Sequence, residues 1–307
     1  MNGRRLGEFW ADRARGALLD LDFIGIQLLN GLQLSMLLFM LAVGLSVVFG
    51  LLDFLNLAHA TFYMVSAYIA LSVAEATESF WLALLIAPVL VVLIGIVFYQ
   101  TLLKRLQGSH MKQVLVTFGL IFVGLDAVRL IWGQGFHTMA EPALLSAKFA
   151  LLGQTYPAYR FFIIGVGLVT VVLLYLGLER TRLGAIVRAG VDDREIAASL
   201  GINIDLAFFA VFCLGIYLAG LAGVVAAPLV TVYPGMDMSV LILALIVVVV
   251  GGPGNLKGAV VGSLVIGMAE TFGVVLLPEF SSFLIYFIMA AVLLFRPHGL
   301  LPAKAFS

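Results

Sequence analysis

Residues 80–103 read FWLALLIAPVLVVLIGIVFYQTLL, a run without Asp, Glu, Lys, Arg or His. As a helix it rises about 36 Å, enough to cross the ~30 Å hydrocarbon core of a bilayer. Its apolar residues are continuous instead of alternating with period two, which excludes a strand of a membrane barrel. Working outward, eight further apolar segments follow the same pattern, at 24–50, 61–75, 113–132, 160–179, 206–228, 239–251, 259–276 and 283–296. The chain is therefore expected to be an all-α integral membrane protein, a polytopic bundle of about eight or nine transmembrane helices. Those at 61–75, 239–251 and 283–296 are short and flank breaks holding Gly, Pro or Asn, the pattern of discontinuous or tilted helices.

Composition agrees. Of 307 residues, 63% are hydrophobic and only 11% charged, with a mean hydropathy of +1.16. Soluble domains run nearer half apolar and a quarter charged, so lipid must be the solvent for most of the chain. Seventeen basic side chains balance seventeen acidic ones, and nothing marks a nucleic-acid partner. The single cysteine, Cys213, excludes an intrachain disulfide and reads as an apolar filler in a helix interface. Residues 1–22 form a hydrophilic tail or interfacial helix without the pattern of a cleavable signal peptide, 23–302 the membrane domain, and 303–307 a short tail.

Lys and Arg fix the expected orientation. They cluster at Lys104, Arg105 and Lys112, at Arg180, Arg182, Arg188 and Arg194, and at Arg296 and Lys304, so these connections and the C-terminus should be cytoplasmic. The connections near 75–79, 229–238 and 277–282 lack basic residues and should lie outside, as should 133–159, edged by Trp132, Tyr156 and Tyr159. Nine spans would leave the N-terminus outside, against the vote of Arg4, Arg5, Arg13 and Arg15. An internal echo favours outside: Asn56-Leu57-x-x-Ala60 and Asn255-Leu256-x-x-Ala259 each sit in a break before a span, and in parallel repeats both breaks share one side.

The cytoplasmic loop at about 180–205 is too long to be a mere connection. Asp192 and Glu195, three apart, read as a capping box for a helix of about two turns, with Asp193, Ala197 and the terminating Gly201. Such a helix either rests on lipid headgroups or docks a cytoplasmic partner. In the next span Gly215, Ala219, Gly223 and Ala227 recur every fourth position, and Gly258 and Gly262 repeat the spacing later. These are ridges for close helix packing in lipid. Asp126 and Arg129 are placed to pair across a turn. Asn56, His59, Asn255 and Glu270 are the candidates for a helix break or translocation path: His59 as a hydrogen-bonded lid on a helix end, Glu270 as an acid that must face a helix or an aqueous route. There is no G-x-x-x-x-G-K-[ST] phosphate loop, since GPGNLKG at 252–258 has the wrong spacing, and no H-E-x-x-H or G-x-S-x-G.

Arg188-Ala189 … Asp192 … Ala197 … Gly201-Ile202 resembles the cytoplasmic loop of permeases in the branched-chain amino-acid class of ABC importers. Asn56-Leu57-Ala58-His59-Ala60 resembles that family's N-x-A-H-G break, with Ala60 where glycine is usual. Gly251-Gly252-x-Gly254-Asn255 with Gly258-Ala259 resembles its Gly-rich turn, and Arg296-Pro297-His298-Gly299-Leu300 its R-P-x-G-L ending. The resemblance covers about residues 28–301 and fits the shorter, H-type permease. It implies an importer in the bacterial inner membrane with a second homologous permease, two cytoplasmic ATPases and a periplasmic binding protein. ATP and Mg would be bound by the ATPases, and no cofactor by this chain. The implied substrates are branched-chain amino acids, with urea, short amides and aromatic acids carried by relatives. Arg188, Asp192, Asp193, Glu195, Ala197 and Gly201 would couple the permease to the ATPase.

Overall fold

A computed structural model describes residues 21–52, 55–106, 108–151, 154–192, 194–201 and 203–301. Of the tail expected at 1–22, residues 1–20 lie outside the described residues, as do 303–307 and Asp193, while Leu21 and Asp22 open the first helix. The chain is a helical bundle. Helix α1 spans Leu21–Leu52, α2 His59–Thr77 and α3 Phe80–Phe98, extended by a π-helical turn Tyr99–Leu103 and a tighter turn Lys104–Leu106. Then come α4 His110–Trp132, a hairpin of β1 Lys148–Leu151 and β2 Gln154–Pro157, and α5 Ala158–Arg180. Two short helices, α6 Arg182–Asp192 and α7 Arg194–Ser199, precede α8 Ile204–Ala226, α9 Met236–Gly251, α10 Leu256–Leu276 and α11 Ser281–Phe295. Segments of α1, α3, α4, α5, α8 and α10 are long and apolar enough to cross a membrane, and α9 and α11 are shorter apolar helices. With α2, of 19 residues, they correspond to the nine segments read from hydropathy.

Helix α8 is the hub. Its small residues let it lie against α1, α2 and α3 at once. A Cβ on Gly215 would stand 2.8 Å from Val48 of α1, one on Gly220 would stand 3.2 Å from Pro88 of α3, and one on Gly223 would meet the Tyr63 carbonyl of α2 at under 3.0 Å. Ala219 and Ala227 of the same ridge are buried. The second ridge works likewise: Gly258 and Gly262 of α10 bring their backbone against Gly251 and Val247 of α9. Helices α1 and α10 run antiparallel, with Gly50 beside Gly254 at one end and Ser35 beside Gly267 nearer the other.

These contacts sort the connections between two ends of the bundle. The end where α1 finishes carries the 99–109, 180–203, 252–255 and 296–301 connections, where the sequence concentrates Lys and Arg. The other carries 78–79, 133–157, 227–235 and 277–280. Both breaks of the internal echo fall at the first end: one follows α1 directly, and the amide of Gly254 in the other donates to the Ser46 carbonyl of α1 (3.2 Å). Leu21 and Leu301 lie at opposite ends.

One expectation needs correction. Residues 182–192 form a full helix, α6, where the sequence reading placed loop, despite Gly184 and Gly190. Asp192 therefore ends α6 instead of opening a helix with Glu195, which lies within α7. The 133–159 connection, given no internal structure in the sequence reading, contains a hairpin.

Candidate translocation and coupling sites

Helix α2 does not start at the rim of the bundle. His59, its first residue, is buried and its Nε2 hydrogen-bonds the Leu41 carbonyl at 3.1 Å, about three turns above the end of α1. Asn56 and Ala58, just before it, are buried inside the bundle as well. Asn56, 1% exposed, finds no hydrogen-bond partner for either side-chain polar atom. Leu57 donates its amide to Thr117 Oγ1 of α4 at 3.3 Å, and Gln113, one turn earlier on α4, is also buried. Ala60 is helical, so glycine's freedom is not used there.

Helix α9 also starts inside. At 16 residues it spans about 24 Å, short of a bilayer core. It begins after Gly235 at φ 99°, and its second residue, Asp237, is 2% exposed and accepts a hydrogen bond from Thr61 Oγ1 of α2 at 2.9 Å. The first turns of α2 and α9 therefore meet around a buried carboxylate. Asp237 was not singled out in the sequence, where it reads as the polar edge of an outer turn.

Asn255 and Asn56 echo each other in sequence but differ in use. Asn255 caps α10, accepting from the Lys257 amide at 3.0 Å and donating to the Leu301 carbonyl at 2.9 Å. The R-P-H-G-L segment folds back over the Gly-rich turn: Leu300 and Leu301 donate to the carbonyls of Val250 and Gly251 at 2.8 and 3.0 Å, and Gly299, φ 84°, packs on Gly252, φ 101°. Two motifs distant in sequence are one structural unit. Glu270 is half-buried on α10 with Oε2 unpartnered, and Asp126 and Arg129 pair at 3.5 Å on an exposed face of α4.

At the Lys/Arg end, α6 is strapped to α5. Arg188 donates to the Leu178 carbonyl and pairs with Glu179 at 3.8 Å, and Gly184 lets the α6 backbone touch that of Leu178. In α7 Ala197 is buried, while Ile196 and Leu200 are 60% and 75% exposed. Gly201 ends the helix at φ 82°, its amide bonded to the Ala198 carbonyl at 3.0 Å, and Asn203 caps α8 by accepting from the Leu206 amide at 3.0 Å. At the other end, a reciprocal backbone bridge of 2.8 Å ties His137 to Val232, and Phe136 stacks near Tyr233. Arg160 bonds Asn30 and lies 5.7 Å from the Tyr156 ring; burial pushes the Tyr156 hydroxyl up and Arg160 opposes this. A groove of about 800 Å³ between α5, α6 and α8 is walled by side chains such as Val169, Leu173, Val187 and Leu214. Its apolar walls suit a hydrocarbon chain and not a polar solute.

A bundle with interrupted helices, a polar cluster at half depth and a helical pair at one end defines a multi-pass membrane permease. The family described as branched-chain amino acid transport system / permease component matches residues 27–293, and the chain belongs to it, among the permeases of ABC importers. It is 29% identical over 292 residues to the high-affinity branched-chain amino acid transport system permease protein BraD of Pseudomonas aeruginosa, covering 90% of this chain and 94% of BraD. The Escherichia coli permease protein LivH is 24% identical over 293 residues, with 90% and 94% covered. A probable LivH of Methanocaldococcus jannaschii is 25% identical over 284 residues, with 87% and 89% covered.

Proposed function

We propose that this chain is the membrane subunit of an ATP-driven importer, carrying branched-chain amino acids handed over by a periplasmic binding protein. It works with a second homologous permease and two cytoplasmic ATPases that bind ATP and Mg. The observation that carries the reading is the α6–α7 pair. It stands at the end rich in Lys and Arg, which the charge rule assigns to the cytoplasm together with the C-terminus, and α7 presents Ile196 and Leu200 to a partner. A push on this pair has two rigid outlets. One is α5, through the Arg188 strap; the other is α8, through Gly201 and the Asn203 cap. Since α8 lies against α1, α2 and α3, moving it shifts the helices around the half-depth breaks. The family's relatives named above are all branched-chain amino acid permeases, which supports the substrate class.

The test is reconstitution in proteoliposomes. The purified chain alone is expected to hydrolyse no ATP; the complex with both ATPases, the second permease and the binding protein is expected to accumulate L-leucine only with ATP inside the vesicle face that holds the ATPases. Hydrolysis by the lone chain, or uptake without the ATPases, overturns the proposal. The sidedness has its own test. The 133–159 segment and the 229–238 turn are taken as part of the docking face for the binding protein, so a cysteine at exposed Phe136 or Leu144 should react with an impermeant thiol reagent added outside intact spheroplasts. Labelling only after the membrane is opened would invert the topology.

A further inference from the structure

Asp237 is the feature the family assignment leaves unused. The side chain is almost fully buried, one carboxylate oxygen is held by Thr61, and the other has no side-chain partner among the described residues. Neither of the two ion pairs among the described residues involves it. The amides of Asp237 and Met238 lie beside the carboxylate, as at any helix start. An ionisable group at half depth in a membrane protein is expensive unless something meets it.

What surrounds Asp237 narrows what that is. Two helices begin here, and a helix start carries a partial positive charge, although the amides of His59, Thr61, Met236 and Met238 already donate to the carbonyls of Asn56, Ala58, Tyr233 and Gly235. Interrupted helices that start near mid-membrane are where transporters bind solutes. Asn56, with both side-chain polar atoms unpartnered, and His59, with Nδ1 unpartnered, lie within two turns of Thr61 along the chain. The spot therefore offers one negative side chain beside two positive helix ends. That pattern complements a zwitterion: an ammonium for the carboxylate, a carboxylate for the Asn56 side-chain amide and the positive helix ends. A neutral amide or urea would leave the Asp237 charge unmatched.

We infer that Asp237 receives the ammonium group of an α-amino acid in transit, with the first turns of α2 and α9 facing its carboxylate. This rests on the importer reading above and adds the residue that recognises the zwitterion within the membrane. A purely structural role differs in one respect. If Asp237 only ties α2 to α9 through Thr61, asparagine, which keeps an oxygen for the Thr61 hydroxyl, serves equally well.

The experiment compares the parent complex with Asp237→Asn, each reconstituted with its ATPases, second permease and binding protein, using L-leucine as probe. Assembly, ATP hydrolysis and uptake are read separately. Uptake by Asp237→Asn should fall at least fivefold while the complex assembles and still hydrolyses ATP. A second variant keeps the carboxylate: Leu241→Cys, one turn along α9, in a Cys213→Ser background. Its labelling by a small cationic thiol reagent during turnover should be slowed by L-leucine. Asp237→Asn uptake within twofold of the parent, or labelling of Leu241→Cys indifferent to L-leucine, overturns the inference; should Asp237→Asn not assemble, the labelling decides. A parent complex that imports no L-leucine overturns the importer reading itself, and this inference with it.

Discussion

Gly223→Leu should aggregate or lose at least 10 °C of thermal stability. A Cβ at this position lies under 3.0 Å from the Tyr63 carbonyl oxygen and 3.1 Å from its carbon, so the obstacle is backbone and cannot rotate away. Helix α8 has no room to retreat. Its Gly215 face is locked against Gly44 and Val48 of α1, and Gly220 against Pro88 of α3. Extra methylenes in a packed interior cost about 1–3 kcal/mol, and more where backbones must separate. Without a hydrophobic force between helices in lipid, close backbone packing is what holds α8 in place. The control is Gly119→Leu on α4, where an added Cβ meets nothing within 4 Å. In detergent, Gly119→Leu should elute and melt like the parent, whereas Gly223→Leu should aggregate or melt at least 10 °C lower, taking roughly 2–4 °C per kcal/mol for a chain of this size. Equal melting of the two variants would mean that the α8 ridge does not bear the packing.

Hydropathy alone located the spans because each is a continuous apolar run, long or short, and the observed helices fall within a few residues of those limits. The ridge at Gly215, Ala219, Gly223 and Ala227 was legible for the same reason: fourth-residue spacing puts small side chains on one face whatever the partner. Partners were not legible. Nothing in the sequence says that Gly223 meets Tyr63 or that the R-P-H-G-L segment covers the Gly-rich turn, because periodicity fixes a face and not its neighbour. Asp237 escaped notice for a sharper reason. A charged residue after Tyr-Pro-Gly reads as the end of an apolar run, and only the bond to Thr61 shows that the turn dips into the bundle. Helix α6 was hidden by its two glycines, which lower helix propensity, yet Gly184 is there because α6 must touch Leu178. Asn56 and Asn255 show the limit of motif reading: one is a helix cap, the other is buried without a partner.

Gly201→Val should cut L-leucine uptake by the assembled complex at least tenfold without harming membrane insertion. The position differs from Gly223 in kind. An added Cβ meets nothing within 4 Å, so there is no clash; the whole penalty comes from φ 82°, a left-handed conformation that costs an L-residue about 1–2 kcal/mol, and a β-branched one most. Only a local change of backbone relieves that strain. Here the backbone joins α7, with exposed Ile196 and Leu200, to the Asn203 cap of α8. Relief therefore re-aims the proposed docking helix relative to the hub helix, while the spans keep every contact. Gly201→Asn supplies the discriminating control, because asparagine tolerates the left-handed region and adds polar bulk at an exposed site. If conformation is what matters, Gly201→Asn should retain most uptake and Gly201→Val should lose it, with ATP hydrolysis no longer stimulated by the loaded binding protein. Equal loss in both variants would point to the surface itself as a contact. Parent-level uptake in Gly201→Val would leave α7 as a helix resting on lipid headgroups, with coupling to the ATPases routed elsewhere.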